Sequence, residues 1–318
     1  MFFEGSEKKI EVIFSSQVES LRLQPRAFWE KLVNKAQAQI LSEVSNEKMT
    51  AYLLSESSLF IYDHYLVMIT CGTTQLVKAV DELMQHYQPQ QIDAFFYERK
   101  NELLPQAQST DFFKDVEILR QWFDGEALRY GREDEHHLYL FAAKKDYEPL
   151  ANDHTMEILM HGIAPEISAL FRNCQDCNSQ ELRDRSGLSD LVLGEVDDFV
   201  FDPMGYSLNA IYENRYFTIH ITPESDGSYV SFETNAFDSA AQMEWAQKVL
   251  SVFKPLSFDL VLFNKDKVMQ PDFANFRLKQ QYAESLYSGY QTQYFSYYSP
   301  NPNEQKPTRL LGGPDESE

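Results

Sequence analysis

Strand-like and helix-like stretches follow one another in a way that predicts an α/β or α+β protein, with antiparallel sheets and outer helices. Three observations carry this prediction. Apolar and polar residues alternate in several short segments; apolar residues recur at helical spacing in others; and the two kinds come in two successive rounds of strands, helix and strands. The 318 residues are 43% hydrophobic and include 23 Phe and 18 Tyr, enough for one large core or two smaller ones.

The opening segment from Glu7 to Phe14 puts Ile10, Val12 and Phe14 on one side and Glu7, Lys9 and Glu11 on the other, a strand with one polar face. Arg26 to Val44 reads as a helix, Ala51 to Tyr62 as extended chain, and Tyr65 to Thr70 as a strand. Beyond Thr73, the residues Leu76, Val77, Val80, Leu83 and Met84 recur at helical spacing. Ile92 to Tyr97 returns to strand. Helices are expected at Asp111 to Phe123 and Thr155 to Met160. Strands are expected at Leu138 to Ala143, Tyr216 to Thr222, Tyr229 to Glu233 and Phe258 to Phe263. A helical stripe runs from Phe237 to Phe253. No sequence repeat is convincing, and residues 299–318, rich in Pro, Asn, Gly and acids, read as a disordered tail.

Lys and Arg number 28 against 49 Asp and Glu, a formal charge of −21. Such a field repels phosphate backbones and anionic lipid, so nucleic acid is not an expected partner, whereas a sulfonium or a diamine would be attracted. No apolar run approaches the roughly 20 residues that span a bilayer. With an acidic, short opening unlike a signal peptide, this predicts a cytoplasmic protein without a membrane partner. The three cysteines, Cys71, Cys174 and Cys177, are too few for a disulfide framework. Cys174 and Cys177 have a spacing found in zinc and redox sites, but without a second pair they read as loop thiols, and no metal is expected.

On composition alone, Leu54-Ser-Glu-Ser-Ser-Leu-Phe60 is a polar bend between apolar stretches. With Thr70-Cys-Gly-Thr-Thr74 downstream, it resembles the processing region of eukaryotic-type S-adenosylmethionine decarboxylase proenzymes. Further pieces stand in family order: Phe2-Phe-Glu-Gly-Ser-Glu-Lys8, Phe95-Phe-Tyr-Glu-Arg-Lys-Asn101, Gly205-Tyr-Ser-Leu-Asn209, Thr218-Ile-His-Ile-Thr-Pro-Glu224 and Tyr229-Val-Ser-Phe-Glu-Thr-Asn235. Each is modest alone; in order over most of residues 2–265 they are specific.

The resemblance implies an α+β fold, a four-layer α/β/β/α sandwich of two antiparallel sheets with outer helices, as a single domain over residues 1–298. It also implies self-cleavage between Glu56 and Ser57, giving a β chain of residues 1–56 and an α chain of residues 57–318. The Ser57 hydroxyl would attack the preceding carbonyl to form an ester, and elimination would leave a pyruvoyl group at position 57. Decarboxylation of an amino acid leaves a carbanion at Cα, and a carbonyl cofactor of this kind is its electron sink. Ester elimination needs a base and a hydroxyl, and by resemblance these are His220 and Ser207. Cys71 matches the proton donor to the substrate Cα, and Glu4 and Glu7 match active-site acids. Phe3 and Phe201 match the rings that stack on adenine, and Glu224 the carboxylate on the ribose; Glu56 joins them as a substrate contact. The substrate so implied is S-adenosylmethionine, and the product is the aminopropyl donor of spermidine and spermine synthesis.

Some relatives are activated by putrescine in a remote acidic pocket, matched here by Glu11, Phe96, Asp153, Thr155, Glu157, Glu233 and Phe263. Lys9 departs from that pattern. Diamine-activated relatives carry an apolar residue there and diamine-independent plant relatives a basic one. Ile69 replaces a frequent Lys, and Met204 a Cys beside the Gly-Tyr-Ser motif. Two other functions stay in view. A pyruvoyl decarboxylase of another amino acid would have lost Phe3, Phe201 or Glu224, and a non-catalytic regulatory paralogue would have lost Ser57, His220 or Cys71. The sequence leaves open whether putrescine acts, and whether the cleaved αβ unit pairs as (αβ)2.

Overall fold

Sixteen strands form two eight-stranded antiparallel sheets among the residues that the computed structural model describes, 3–150, 153–172, 178–225 and 227–300. The first sheet contains β1 (Lys8–Phe14), β2 (Ile40–Ser45), β3 (Thr50–Leu54), β4 (Ser57–Ile61), β5 (Tyr65–Thr70), β6 (Ile92–Lys100), β7 (Gly125–Tyr130) and β8 (Leu138–Ala143). The second contains β9 (Thr155–His161), β10 (Glu195–Val200), β11 (Tyr206–Tyr212), β12 (Arg215–Thr222), β13 (Tyr229–Thr234), β14 (Ser257–Asn264), β15 (Arg277–Ser285) and β16 (Gln291–Tyr298). Their orders are β2-β3-β4-β5-β1-β6-β8-β7 and β10-β11-β12-β13-β9-β14-β16-β15, one topology used twice.

Alternation along the strands builds the layers. Ile10, Val12 and Phe14 of β1 point outward and pack with α1 (Arg26–Lys35), α2 (Leu76–Met84) and α3 (Phe112–Leu119). On the far side, the outer face of the second sheet packs with α4 (Pro165–Arg172), α5 (Ser179–Ser186) and α6 (Ser239–Phe253). The inner faces meet in two apolar clusters. One joins Phe96, Leu140 and Ala142 to Leu159, Val261 and Phe263; the other joins Phe60, Val67 and Ile69 to Ile211 and Tyr216. The molecule is therefore an α+β four-layer sandwich, as expected. Polar and charged side chains also lie buried on these inner faces, and they make the site.

Four expected helices differ from the elements observed. α1 stops at Lys35, because Gln37 turns to φ 68° and the chain then pairs as β2 along β3. The segment Thr155 to Met160 is not a helix but β9, hydrogen-bonded on both sides by β13 and β14. Its Met and Leu residues favour helix locally, but two flanking strands and almost complete burial override that preference. The helix expected from Asp111 to Phe123 is α3, shorter at both ends, with Asp111 as N-cap accepting from the Lys114 amide at 2.9 Å. α6 starts at Ser239 behind the N-cap Asp238. Strands β7, β10, β11, β15 and β16 and helices α4 and α5 had no counterpart in the sequence reading. No helix among the described residues is long and apolar enough to cross a membrane. Cys174, Cys177 and residues 301–318 of the expected tail lie outside the described residues.

Candidate active site

The site lies at one end of the space between the sheets. Ser57 opens β4, directly across from Thr70, the last residue of β5, so that Cys71 follows beside it. Ser207 of β11 is directly across from His220 of β12 in the other sheet. Between them is a cleft of about 380 Å³ whose lining includes Phe3, Glu56, Ser57, Cys71, Phe201, Ser207, His220 and Glu224. A larger groove of about 790 Å³, with mixed charges such as Glu133, Asp134 and Lys279, contains none of the expected site residues.

The Glu56 carbonyl oxygen accepts from the Cys71 amide at 2.9 Å and from its thiol at 3.4 Å. Ser57 sits at φ 133°, a conformation that strains a side-chain-bearing residue, and its buried Oγ has no hydrogen-bond partner. Ser207 Oγ is 2.8 Å from His220 Nδ1. His220 Nε2 is 2.8 Å from Thr218 Oγ1 and 3.1 Å from the Oγ of Ser58, not of Ser57. Burial pulls the imidazole down to about 3, so it is neutral at physiological pH. Burial pushes the Cys71 thiol well above its usual range, and raises Glu56 to about 7 against the opposing charge of Lys8.

Phe3 is 41% exposed at the cleft, and its amide donates to Glu224 Oε1 at 2.8 Å, bringing two expected nucleoside contacts together. Phe201 meets Phe199 edge-on at 4.9 Å. The Glu4 carboxylate is engaged by the amides of Leu104 at 2.8 Å and Ser6 at 3.3 Å. Glu7 accepts from Ser231 Oγ at 2.5 Å, and burial raises it to about 8.

Further along the same inner faces, the Lys9 ammonium is 2.8 Å from Glu11, 3.0 Å from Glu98 and 3.3 Å from Glu233, and it also bonds Glu157. It lies 5.5 Å from the Phe263 ring centre, and Phe263 packs on Phe96. Burial alone would lower its pKa, but the surrounding carboxylates hold it well above the usual lysine value. Glu11, Glu98 and Glu157 are also close enough together to hold a cation, and Lys9 supplies one. Asp153 has no ion pair with Lys9; it accepts from the Tyr147 hydroxyl at 2.7 Å, and the Glu11 charge still acts on it. Thr155 is buried, paired through its backbone with Phe263.

A family model described as adenosylmethionine decarboxylase matches residues 1–303. The chain belongs to that family. Among relatives, the S-adenosylmethionine decarboxylase proenzyme of Xenopus laevis is 39% identical over 279 residues, 82% of this chain and 83% of the relative. The proenzymes of Caenorhabditis elegans and Dictyostelium discoideum are 36% and 34% identical, over 83% of this chain and 77% and 75% of their own lengths. A solved structure, the Trypanosoma brucei AdoMetDC-delta26 monomer, superposes with a TM-score of 0.58 at 21% identity, covering 76% of this chain and 99% of that one, and so supports the fold.

In this member of the adenosylmethionine decarboxylase family, eight of the expected residues line one cleft, Glu4 and Glu7 are not in its lining, and several supports of the site went unassigned. Ser58 and Thr218 contact His220 and Asn209 bonds Ser58, and all three stand inside motifs quoted for other residues. Glu98 faces Lys9 directly across β1 and β6. Its signal was available, since Glu98 lies two residues from Phe96 and so shares its strand face. Lys8 gave no signal. It is buried, bonds the Gly72 carbonyl at 3.1 Å and Gln108 at 2.9 Å, and has no carboxylate partner among the described residues.

Proposed function

We propose that this chain cuts itself between Glu56 and Ser57, and with the pyruvoyl group so made removes the carboxyl group of S-adenosylmethionine, giving the aminopropyl donor of polyamine synthesis. The observation that carries this reading is the arrangement of the peptide bond itself. Two donors of Cys71 hold the Glu56 carbonyl oxygen, and the next residue is a strained serine with an unengaged hydroxyl. Polarising the carbonyl and relieving strain both favour attack by Ser57 Oγ on the Glu56 carbonyl carbon.

The Oγ–C bond forms, the Glu56–Ser57 C–N bond breaks and the Oγ proton ends on the freed nitrogen, so the acyl group passes from nitrogen to oxygen. His220 then takes the Ser57 Cα proton, the Cα–H electrons form the Cα–Cβ double bond, and the ester C–O bond breaks to release Glu56 as a carboxylate. Water replaces the freed nitrogen as ammonia departs, leaving the ketone of pyruvoyl. That group fits the position, since Ser57 has a buried side chain at the cleft wall. Bound there, it supplies the electron sink for decarboxylation. Phe3 and Phe201 flank the adenine and Glu224 takes the ribose hydroxyls. A thiol held protonated, as that of Cys71 is, can return a proton to Cα. The cut pieces stay together because β1, from residues 1–56, lies between β5 and β6 of the other piece.

The test is the intact mass of the purified protein under denaturing conditions. Two fragments, residues 1–56 and a blocked chain from 57, are expected, with CO2 released from carboxyl-labelled S-adenosylmethionine. Ser57→Ala should give one uncut, inactive chain. Cleaved fragments from that variant would overturn the assignment.

A further inference from the structure

His220 has two ring nitrogens, and the chemistry of its neighbours decides which one carries the proton. The decision begins at the backbone carbonyl of Tyr52, which can only accept. Asn209 meets it through Nδ2 at 3.1 Å, so the amide is oriented with its NH2 group toward Tyr52. Asn209 Oδ1 therefore faces the other way, and Ser58 Oγ donates its single proton to it at 2.6 Å. With that proton committed, Ser58 has only lone pairs to offer His220 Nε2 at 3.1 Å. A bare Nε2 would set its lone pair against those of Ser58, with the Thr218 hydroxyl the one group of the three able to donate to it. A protonated Nε2 donates to Ser58 and, at 2.8 Å, to Thr218 Oγ1. The opposite nitrogen, Nδ1, is then unprotonated and accepts from Ser207 Oγ at 2.8 Å.

Ser58 and Asn209 are fully buried and Thr218 is 1% exposed, so water does not compete for these bonds. Nothing in the motif reading assigns Asn209 or Ser58 a task, yet each link from Tyr52 to Ser58 has one direction; the Thr218 hydroxyl can turn either way, and with Nε2 protonated it donates to Ser58 Oγ at 3.2 Å.

We infer that Asn209 and Ser58 are positioning residues that hold His220 as its Nε2–H tautomer, making Nδ1, beside Ser207, the basic atom of self-cleavage. This rests on the processing role proposed for His220. Ser207 then has a stated part: when its hydroxyl proton turns to the oxygen of the tetrahedral intermediate, Nδ1 is bared to the cleft. The Ser57 Cα proton is transferred to Nδ1, the Cα–H electrons pass into the Cα–Cβ double bond, and the ester oxygen leaves with the Glu56 acyl group as carboxylate. The resulting imidazolium donates through Nδ1 to Ser207 and through Nε2 to Ser58 and Thr218, so both of its protons have acceptors.

The tautomer can be read without any activity. Uncut Ser57→Ala protein labelled with 15N-histidine should show, in two-bond 15N–1H correlation spectra, a protonated Nε2 and bare Nδ1 for His220, identified by loss of its signals in His220→Gln. Asn209→Ala in the same background frees the Ser58 proton to reach Nε2, and should move the His220 signals toward the Nδ1–H pattern. In the cleavable chain the same change should slow the appearance of fragments about tenfold or more. Ser58→Ala should act alike, and Ser58→Thr, which keeps a hydroxyl, should restore both the spectrum and the rate. An Nδ1–H pattern in the uncut parent overturns the inference whether or not the variants fold. So does Asn209→Ala or Ser58→Ala with parental tautomer and parental rate. A wild type that never cleaves, with Nε2–H intact, would sink the processing role and leave the tautomer assignment standing.

Discussion

Burial sets the protonation of the groups that face the cleft, leaving the His220 ring neutral and the Cys71 thiol protonated, as the roles proposed for them require. Cys71 stays a thiol, and removing it should separate the two reactions, because the Glu56 carbonyl keeps its shorter bond from the amide of residue 71. With Cys71→Ala, fragments should still form, while CO2 release per cut chain falls about 100-fold. Parental turnover in the cut variant would exclude the proton-donor role. His220 gives a pH dependence of known sign. Its folded pKa of about 3 lies below its ordinary 6.5, so the unfolded chain binds the extra proton first. Its stabilising contribution is complete above pH 6.5 and is lost as the pH falls toward 3. Between pH 7 and 5 the loss should be about 2 kcal/mol. In uncut Ser57→Ala protein, urea unfolding at both pH values should show that loss, and His220→Gln should shrink it by a comparable amount; an equal loss in both chains would show that His220 is not its source.

At the scale of elements, the turn between β5 and α2 does most to shape the cleft. Gly72 lies there at φ +64°, and a Cβ at that position would come within 3.1 Å of Glu56 Oε2 and 3.3 Å of the Phe3 ring. Gly72→Ala therefore carries both a backbone strain and a collision with two cleft residues. A loss of about 1 kcal/mol or more is expected, a fall in Tm of roughly 2 °C or more for a chain of this size. The KM for S-adenosylmethionine should rise with it. An unchanged Tm and KM would show that the turn has room to yield. β9 makes the complementary point, since a segment with helix-favouring residues becomes a central strand through its two neighbours.

Across the whole molecule, the buried charges between the sheets tie the two halves together. Lys9, Glu11 and Glu98 come from the first sheet, and Glu157 and Glu233 from the second. Without Lys9, these carboxylates would repel one another in a poorly solvated space. Lys9 supplies a compensating positive charge covalently, whereas a diamine captured from solution would supply it only at the cost of its own freedom. Putrescine should thus change the wild-type rate of decarboxylation little. Lys9→Leu should lower Tm and activity, and titration with putrescine should recover part of both. Strong activation of the wild type, unaltered by Lys9→Leu, would overturn this reading.

The sequence by itself determined the fold class, the two faces of the first strand and, through its ordered motifs, the family. Alternation in β1 separated Ile10, Val12 and Phe14 from Glu7, Lys9 and Glu11, and the ordered motifs named Ser57, Cys71, Ser207 and His220, which the fold brings to one cleft. It determined them because side-chain direction along a strand is local, and a motif carries its residues whatever the partners. The tertiary structure alone decided the rest. Whether Thr155 to Met160 became helix or strand depended on β13 and β14, which lie far away in sequence. The repeated strand order leaves no convincing sequence repeat, since topology constrains pairing and not residue identity. Glu98 and Asn209 gained their roles only through register and packing, one opposite Lys9 and the other bonded to Ser58 across the space between the sheets. A hydrogen-bond partner is set by where two strands meet, and no single strand encodes that.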